Sequence, residues 1–286
     1  MAGCKPGIDP DRVACGHACL FGGGRMSYPR LLAVFFRVSV MGELAYRINF
    51  FVQLFQSVLE LATAVAGLAV IFSHTSTLGG WRPDEVLALV GIYILVGGII
   101  GFVIQPGMEQ LIASVRTGTL DFTLTKPEDA QLLVSIQQVE IWKLIDIMLG
   151  FAVLVTALLR LGEKVGMQQV GEFTVMLLAG TVIIYSFWLI LATLSFWFVR
   201  VENILMIFQS MYEAGRWPVS LYPGWLRFAL TFIVPVAFVT TVPAEALTGR
   251  MNEVTLAGAI VMALVLSVIS RVFWRLGLRH YTGTSA

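Results

Sequence analysis

Gln105-Pro-Gly-Met-Glu-Gln-Leu-Ile-Ala-Ser-Val-Arg-Thr-Gly-Thr-Leu-Asp-Phe-Thr-Leu-Thr-Lys-Pro-Glu-Asp-Ala-Gln131 is a polar passage lying between two long apolar runs. Pro106 and Gly107 predict the end of the preceding helix. Glu109 to Val115 then allow two turns with Leu111, Ile112 and Val115 on one side, and Gly118 suits a C-terminal cap. The expectation is a short amphipathic helix at a membrane surface. At Lys126-Pro127 an extended residue precedes a proline at a first helical position, with Glu128 and Asp129 at the positive end of the next helix. The passage reads as a docking loop.

The rest of the chain supplies the membrane. Of 286 residues, 57% are hydrophobic and 13% charged, and the mean hydropathy is +0.83; a soluble domain carries about twice that charged fraction. A net charge of +1 gives no global field for nucleic acid or an acidic partner. Cys4, Cys15 and Cys19 all fall in the first twenty residues, so no disulfide framework is implied, and Cys15-Gly-His17-Ala-Cys19 matches no zinc spacing. Residues 1–27 lack the continuous apolar core of a signal peptide and read as a disordered or mis-called leader. Residues 28–286 form the transmembrane domain.

Tyr28 to Arg47 is apolar with interspersed charges, the pattern of an interfacial helix. Six candidate spans follow, at Asn49–Ser73, Glu85–Ile104, Trp142–Leu161, Phe173–Val199, Trp225–Leu247 and Val254–Trp274, each near the ~20 residues that cross the hydrocarbon. These must be helices, because backbone groups in lipid have only their own segment to bond. The fold class expected is therefore all-α: a polytopic membrane protein with six transmembrane helices, an N-terminal interfacial helix and a cytoplasmic coupling helix. With the N-terminus inside, 15 Lys and Arg fall on the inner side, Arg216 and Arg227 among them, against Arg82, Arg160, Lys164 and Arg250 outside. Both termini and the 105–131 loop are then cytoplasmic. Val201 to Trp217, with Glu202, Asn203, Gln209, Glu213 and Arg216 among apolar residues, reads as a second interfacial segment.

Several residues stand out within the spans. Glu60 lies midway through the first, where a lone carboxylate is costly, with Gln53 and Gln56 on the same face. This stripe reads equally as the wall of a substrate cavity and as an interhelical hydrogen-bonding seam. Asp146, three residues after Lys143, suits an ion pair at the inner interface. Gly97 and Gly101 form a GxxxG that serves packing within one chain as well as dimerisation. Pro235 and Pro243 imply a kink or a re-entrant break in the fifth span. No GxxxxGK[ST], HExxH or GxSxG occurs, and His17, His74 and His280 lie outside the spans, so an enzyme is not expected.

The layout resembles the permease subunits of type-2 ATP-binding-cassette (ABC-2) exporters, in particular the small six-span branch once catalogued as a domain of unknown function. The resemblance rests on Arg116-Thr-Gly-Thr-Leu-Asp-Phe-Thr-Leu-Thr-Lys-Pro127, Glu213-Ala-Gly-Arg-Trp-Pro-Val-Ser-Leu-Tyr-Pro223 and Ile233-Val-Pro-Val-Ala-Phe-Val-Thr-Thr-Val-Pro243, together with Tyr28-Pro29. It implies coupling to a separate ATPase through Glu109, Arg116, Gly118, Leu120, Asp121, Lys126 and Pro127. It implies ATP and Mg bound on two copies of that partner, no cofactor on this chain, a second permease in a homodimer or heterodimer, and a bacterial inner membrane. The cargo would be an amphipathic small molecule or lipid-like substrate, with Gln53, Gln56, Glu60 and Pro235 as its cavity. The alternative is a proton-coupled secondary carrier using Glu60 or Asp146.

Overall fold

The computed structural model describes residues 47–126, 129–162, 166–198 and 202–281, and among them every regular element is a helix. Helix α1 is Arg47–His74. Helix α2 (Pro83–Ile99) continues through a π-helical turn at Ile100–Ile104 into α3 (Gln105–Thr117). Two short helices follow, α4 (Asp121–Leu124) and α5 (Ala130–Ile136). Then come α6 (Leu144–Leu161), α7 (Met167–Thr193) and α8 (Glu202–Glu213). The chain ends with α9 (Gly224–Phe228), α10 (Thr241–Leu247) and α11 (Glu253–His280). Among the described residues five helical stretches are long and apolar enough to cross a membrane: Ile48–His74, Pro83–Thr117, Ile141–Leu161, Met167–Phe196 and Glu253–His280. The leader, and the interfacial helix expected up to Arg47, lie outside the described residues apart from Arg47 itself.

The helix before Gln105 does not stop at Pro106-Gly107. Pro106 has no N–H to give the carbonyl four residues back, that of Phe102. The chain widens into the π-turn there, and the backbone N–H of Glu140 donates to Phe102 O instead, at 3.0 Å. Gly107 completes the arrangement, because a Cβ would come within 3.0 Å of Ser135 O. The expected separate surface helix at Glu109–Val115 is therefore the end of a 35-residue rod, Pro83–Thr117. Its anticipated apolar side holds, with Leu111 and Ile112 buried and Val115 packed on the core.

Helices α2 and α6 are antiparallel and meet backbone to backbone. A Cβ on Gly91 would lie 2.8 Å from Leu154 N, one on Gly98 2.8 Å from Ile147 N, and one on Gly150 would collide with the Leu95 backbone. Gly97 faces Tyr212 and Gly101 faces Lys143. The GxxxG is thus used within the chain. Helices α7 and α11 run parallel, joined at Ser186–Ser267 (3.5 Å) and at Gly277 against Thr193 and Phe196. Parallel neighbours require the intervening chain to travel back from one end of the bundle to the other.

Residues 202–222 make that return, which corrects the expected interfacial segment and the expected fifth span. From the end carrying residues 118–140 (the loop end), the chain climbs beside α2. Gln209 Nε2 donates to Gln105 Oε1 at 3.1 Å, Tyr212 Oη to Tyr93 O at 2.9 Å, and Leu221 reaches Gly79 at the far end. Trp225–Leu247 is then two short helices separated by a break at 234–240 that holds Pro235. Val234 is extended (ψ 97°), as the residue before a proline prefers. Arg227 donates to Ser220 O and so lies at the far end, not the inner side assigned to it. Hydropathy misplaced this crossing because Gln209, Tyr212 and Arg216 find partners on the α2–α3 rod, whereas the hairpin of α9 and α10 is largely apolar.

The far end is fastened by one cluster. Gly79 and Gly80, at φ 57° and 86°, turn the chain between α1 and α2. Arg250 spans this turn, pairing with Glu85 at 2.7 Å, donating to Gly80 O at 2.9 Å and lying over the Trp81 ring at 5.2 Å.

Gly150→Leu should lower stability by about 1–3 kcal/mol or more, because the α2 backbone leaves the side chain no room. Gly171→Leu, where a Cβ meets nothing within 4 Å, should be tolerated. Thermal unfolding of the two variants in detergent checks the contrast.

Candidate functional site

The loop end owes its shape to a few residues. Gly118, at φ 73° and ψ 8°, terminates α3 in the left-handed conformation, and the N–H of Leu120 reaches back to Ser114 O at 3.3 Å. This drives Leu120 fully into the core and starts the single turn of α4. Leu120 therefore shapes the loop and is not a surface contact. Phe122, the next residue but one, is 74% exposed. Arg116 and Glu109 are exposed, and Asp121 and Lys126 half-buried, so these four flank Phe122 or the rod beneath it. Burial lowers the ammonium pKa of Lys126. Glu109 accepts from Gln105 at 2.8 Å. Pro127 lies outside the described residues.

The loop is latched to two long helices. Asp129 caps α5 by accepting from Gln131 N at 3.0 Å. The same carboxylate receives a two-pronged contact from Arg271 of α11, whose Nη1 donates to Asp129 Oδ1 at 3.0 Å and to Gln131 Oε1 at 2.6 Å. Hydrogen bonding by Arg271 holds the Asp129 carboxyl below its ordinary range. Tyr185 of α7 hydrogen-bonds Ser135 (2.8 Å) and accepts from Gln131 (3.3 Å). With the Glu140–Phe102 bond, the loop is tied to α11, α7 and the α2–α3 rod.

A second group of residues lies between the ends. Helices α1, α2, α6 and α8 enclose a cleft of about 210 Å³ lined by Ser57, Glu60, Tyr93, Lys143, Asp146, Gln209, Tyr212, Glu213 and Arg216, among others. Asp146 is fully engaged there. Ser57 Oγ donates to one carboxylate oxygen, and Gln53 Nε2 (3.4 Å) and Lys143 Nζ (3.3 Å) to the other. The anticipated Lys143–Asp146 pair is thus present, with α1 as its third party. Tyr93 and Tyr212 stack at 5.0 Å, with Arg216 over the Tyr93 ring at 5.4 Å. Of the residues expected to line a cavity, Glu60 does so and Gln53 braces it through Asp146. Gln56 is exposed and does not join the lining, and Pro235 sits in the break of the far-end hairpin. Among the described residues no three His, Cys, Asp or Glu are placed to hold a metal.

The sequence assigns no site role to Phe122, Arg271 or Tyr185, and presents the α8 residues as an interfacial segment rather than as a wall of the cleft. Arg271 carried a usable signal, since a guanidinium inside an apolar helix calls for a partner. Tyr185 carried none.

Replacing Asp129 with Ala should raise hydrogen exchange in residues 129–136 about fivefold, corresponding to about 1 kcal/mol after allowing for solvent screening of this partly exposed pair. In the wild type the latch's stabilisation is present above the unfolded Asp pKa of about 3.9. It should be lost as pH falls through the lower folded value, and exchange measured against pH checks this.

Against known proteins, the profile of a family described as ABC-2 family transporter protein matches residues 58–285, and the chain belongs to that family. No curated protein and no solved structure matches it. It is accordingly a multi-pass membrane component of an ABC-type transporter.

Proposed function

We propose that this ABC-2 family member is the permease of an exporter, in which a separate cytoplasmic ATPase docks on residues 118–126 and drives an amphipathic substrate through the α1–α2–α6–α8 cleft. The observation that carries this reading is the shape of the loop: Phe122 projects from a turn that Arg271–Asp129, Tyr185–Ser135 and Glu140–Phe102 tie into the helices. A projecting aromatic on a braced turn suits insertion into a partner's groove. Asp121, Arg116 and Lys126 supply polar contacts around it, and Gly118 and Leu120 set its angle. Glu109, about two turns up the rod, would meet the partner's rim.

The cleft supports the transport half of the proposal. It is partly open, combines carboxylates, cations and two stacked tyrosines, and borders α1, of whose apolar window only 11% is buried in the chain. A second permease, identical or related, would cover α1 and close the cleft into a shared path. ATP and Mg would bind on two ATPase copies, and closure of those copies would push both loops. The push travels along the Pro83–Thr117 rod, about 50 Å long at 1.5 Å per residue, whose residues Tyr93, Ile94, Gly97 and Gly98 line the cleft. A two-state rearrangement of the cleft would follow.

Counting residues 202–222 as a crossing, the described residues of the domain at 28–286 make six. Both described chain ends then lie at the loop end, with Phe50 against Trp142 and Tyr281 against Phe196. That end keeps Arg116, Lys126, Lys143, Arg271, Arg275 and Arg279 after Arg227 is moved, which supports placing it in the cytoplasm of a bacterial inner membrane.

Affinity purification of the solubilised chain should bring down an ATPase, and Phe122→Asp should reduce its recovery at least tenfold, a change of about 1.4 kcal/mol, while the variant remains monodisperse. Recovery of no ATPase with the wild type, or undiminished recovery with Phe122→Asp, would overturn the docking assignment.

A further inference from the structure

At the far end, away from loop and cleft, the hairpin of α9 and α10 stands off from α11 and leaves a pocket of about 600 Å³. That is within the ~300–1,000 Å³ usual for a bound organic ligand. One wall is α11, where Gly258, Val261 and Val265 recur at helical spacing; the other is the hairpin, with Phe232 and Phe238. Only 17% of the apolar window of α11 is buried in the chain, and Val261 and Val265 are exposed, so the pocket opens sideways onto lipid.

Two charges break the apolar lining, Arg227 and Glu245. Arg227 uses one terminal nitrogen for both its backbone bonds, to Ser220 O at 2.6 Å and Tyr222 O at 3.5 Å, so its other N–H groups remain as donors. The Glu245 carboxylate makes no hydrogen bond or ion pair among the described residues, and Arg250, which acts on it through space, is committed to Glu85 and Gly80. A carboxylate and a guanidinium bordering one apolar slot, each with unused bonding capacity, complement a molecule carrying an anion, an ammonium and an alkyl chain.

We propose that this pocket is a binding site for one zwitterionic phospholipid bearing a primary ammonium, held with its phosphate on Arg227, its ammonium on Glu245 and an acyl chain against Gly258, Val261 and Val265. Beside Gly258 there is room for the chain. A Cβ there meets nothing within 4 Å, so the space beside it is open. The site is independent of the transport reading, since it shares no residue with the loop or the cleft.

Native mass spectrometry of the full chain titrated with dioleoyl phosphatidylethanolamine, phosphatidylcholine and phosphatidylglycerol tests it. The wild type should retain one phosphatidylethanolamine per chain, about tenfold to a hundredfold tighter than the other two, because a quaternary ammonium cannot donate to Glu245 and a glycerol headgroup lacks the charge. Glu245→Gln should erase the preference of ethanolamine over choline. Arg227→Gln should weaken all three. Gly258→Leu should abolish the discrete adduct without lowering the lipid-free melting temperature. Equal retention of the three lipids by the wild type, meaning annular lipid only, or an undiminished adduct in Gly258→Leu together with an unchanged preference in Glu245→Gln, would overturn the proposal.

Discussion

A guanidinium inside an apolar helix has to be neutralised, and the Arg271–Asp129 pair is where this chain does it. The same contact fixes the loop end. Asp129 is at once the cap of α5 and the anion for α11, so helix start, loop path and α11 position are set by one carboxylate. Gln131 and Ser135, one face of the helix thus capped, then meet Tyr185 of α7. The return limb of the loop that bears Phe122 is thus held from both sides.

A second constraint works along the rod. Backbone groups at membrane depth must be bonded, and Pro106 deprives Phe102 of its ordinary partner. The chain resolves this with a π-turn and the Glu140 N–H, which brings the end of the loop back against the rod it left. What reads in sequence as a helix stop is in the fold a point of attachment. In the proposed mechanism loop and rod move together, a lever whose short arm is the Phe122 turn and whose long arm borders the cleft.

Much of the fold was legible because apolar runs of span length leave few alternatives in lipid. The all-helical class, the five long helices over most of their lengths, the Gly118 cap and the Lys143–Asp146 pair all follow from local rules. The fifth crossing did not, for a physical reason: Gln209, Tyr212 and Arg216 find their partners in Gln105 and Tyr93 of the rod, sequence-distant and invisible to any window. The α9–α10 hairpin has the opposite character, apolar without traversing the bundle, and only Pro235 hinted at its break. Of the site, the passage itself was legible as a loop, but the division of labour inside it was not. Leu120 points in and Phe122 points out because of the turn set by Gly118, a distinction that composition cannot supply.

The proposed coupling rests on the loop and the cleft moving as one body along the Pro83–Thr117 rod, with the Arg271–Asp129 latch holding the loop's return limb in place. The most direct test is substrate moved per ATP hydrolysed in proteoliposomes holding the permease and its ATPase, compared between wild type and Arg271→Gln. The account predicts that the variant still recruits the ATPase through Phe122 and still hydrolyses ATP, while substrate moved per ATP falls several-fold, by about 1 kcal/mol of lost coupling or more. An unchanged ratio, with the ATPase bound and the latch cut, would contradict it.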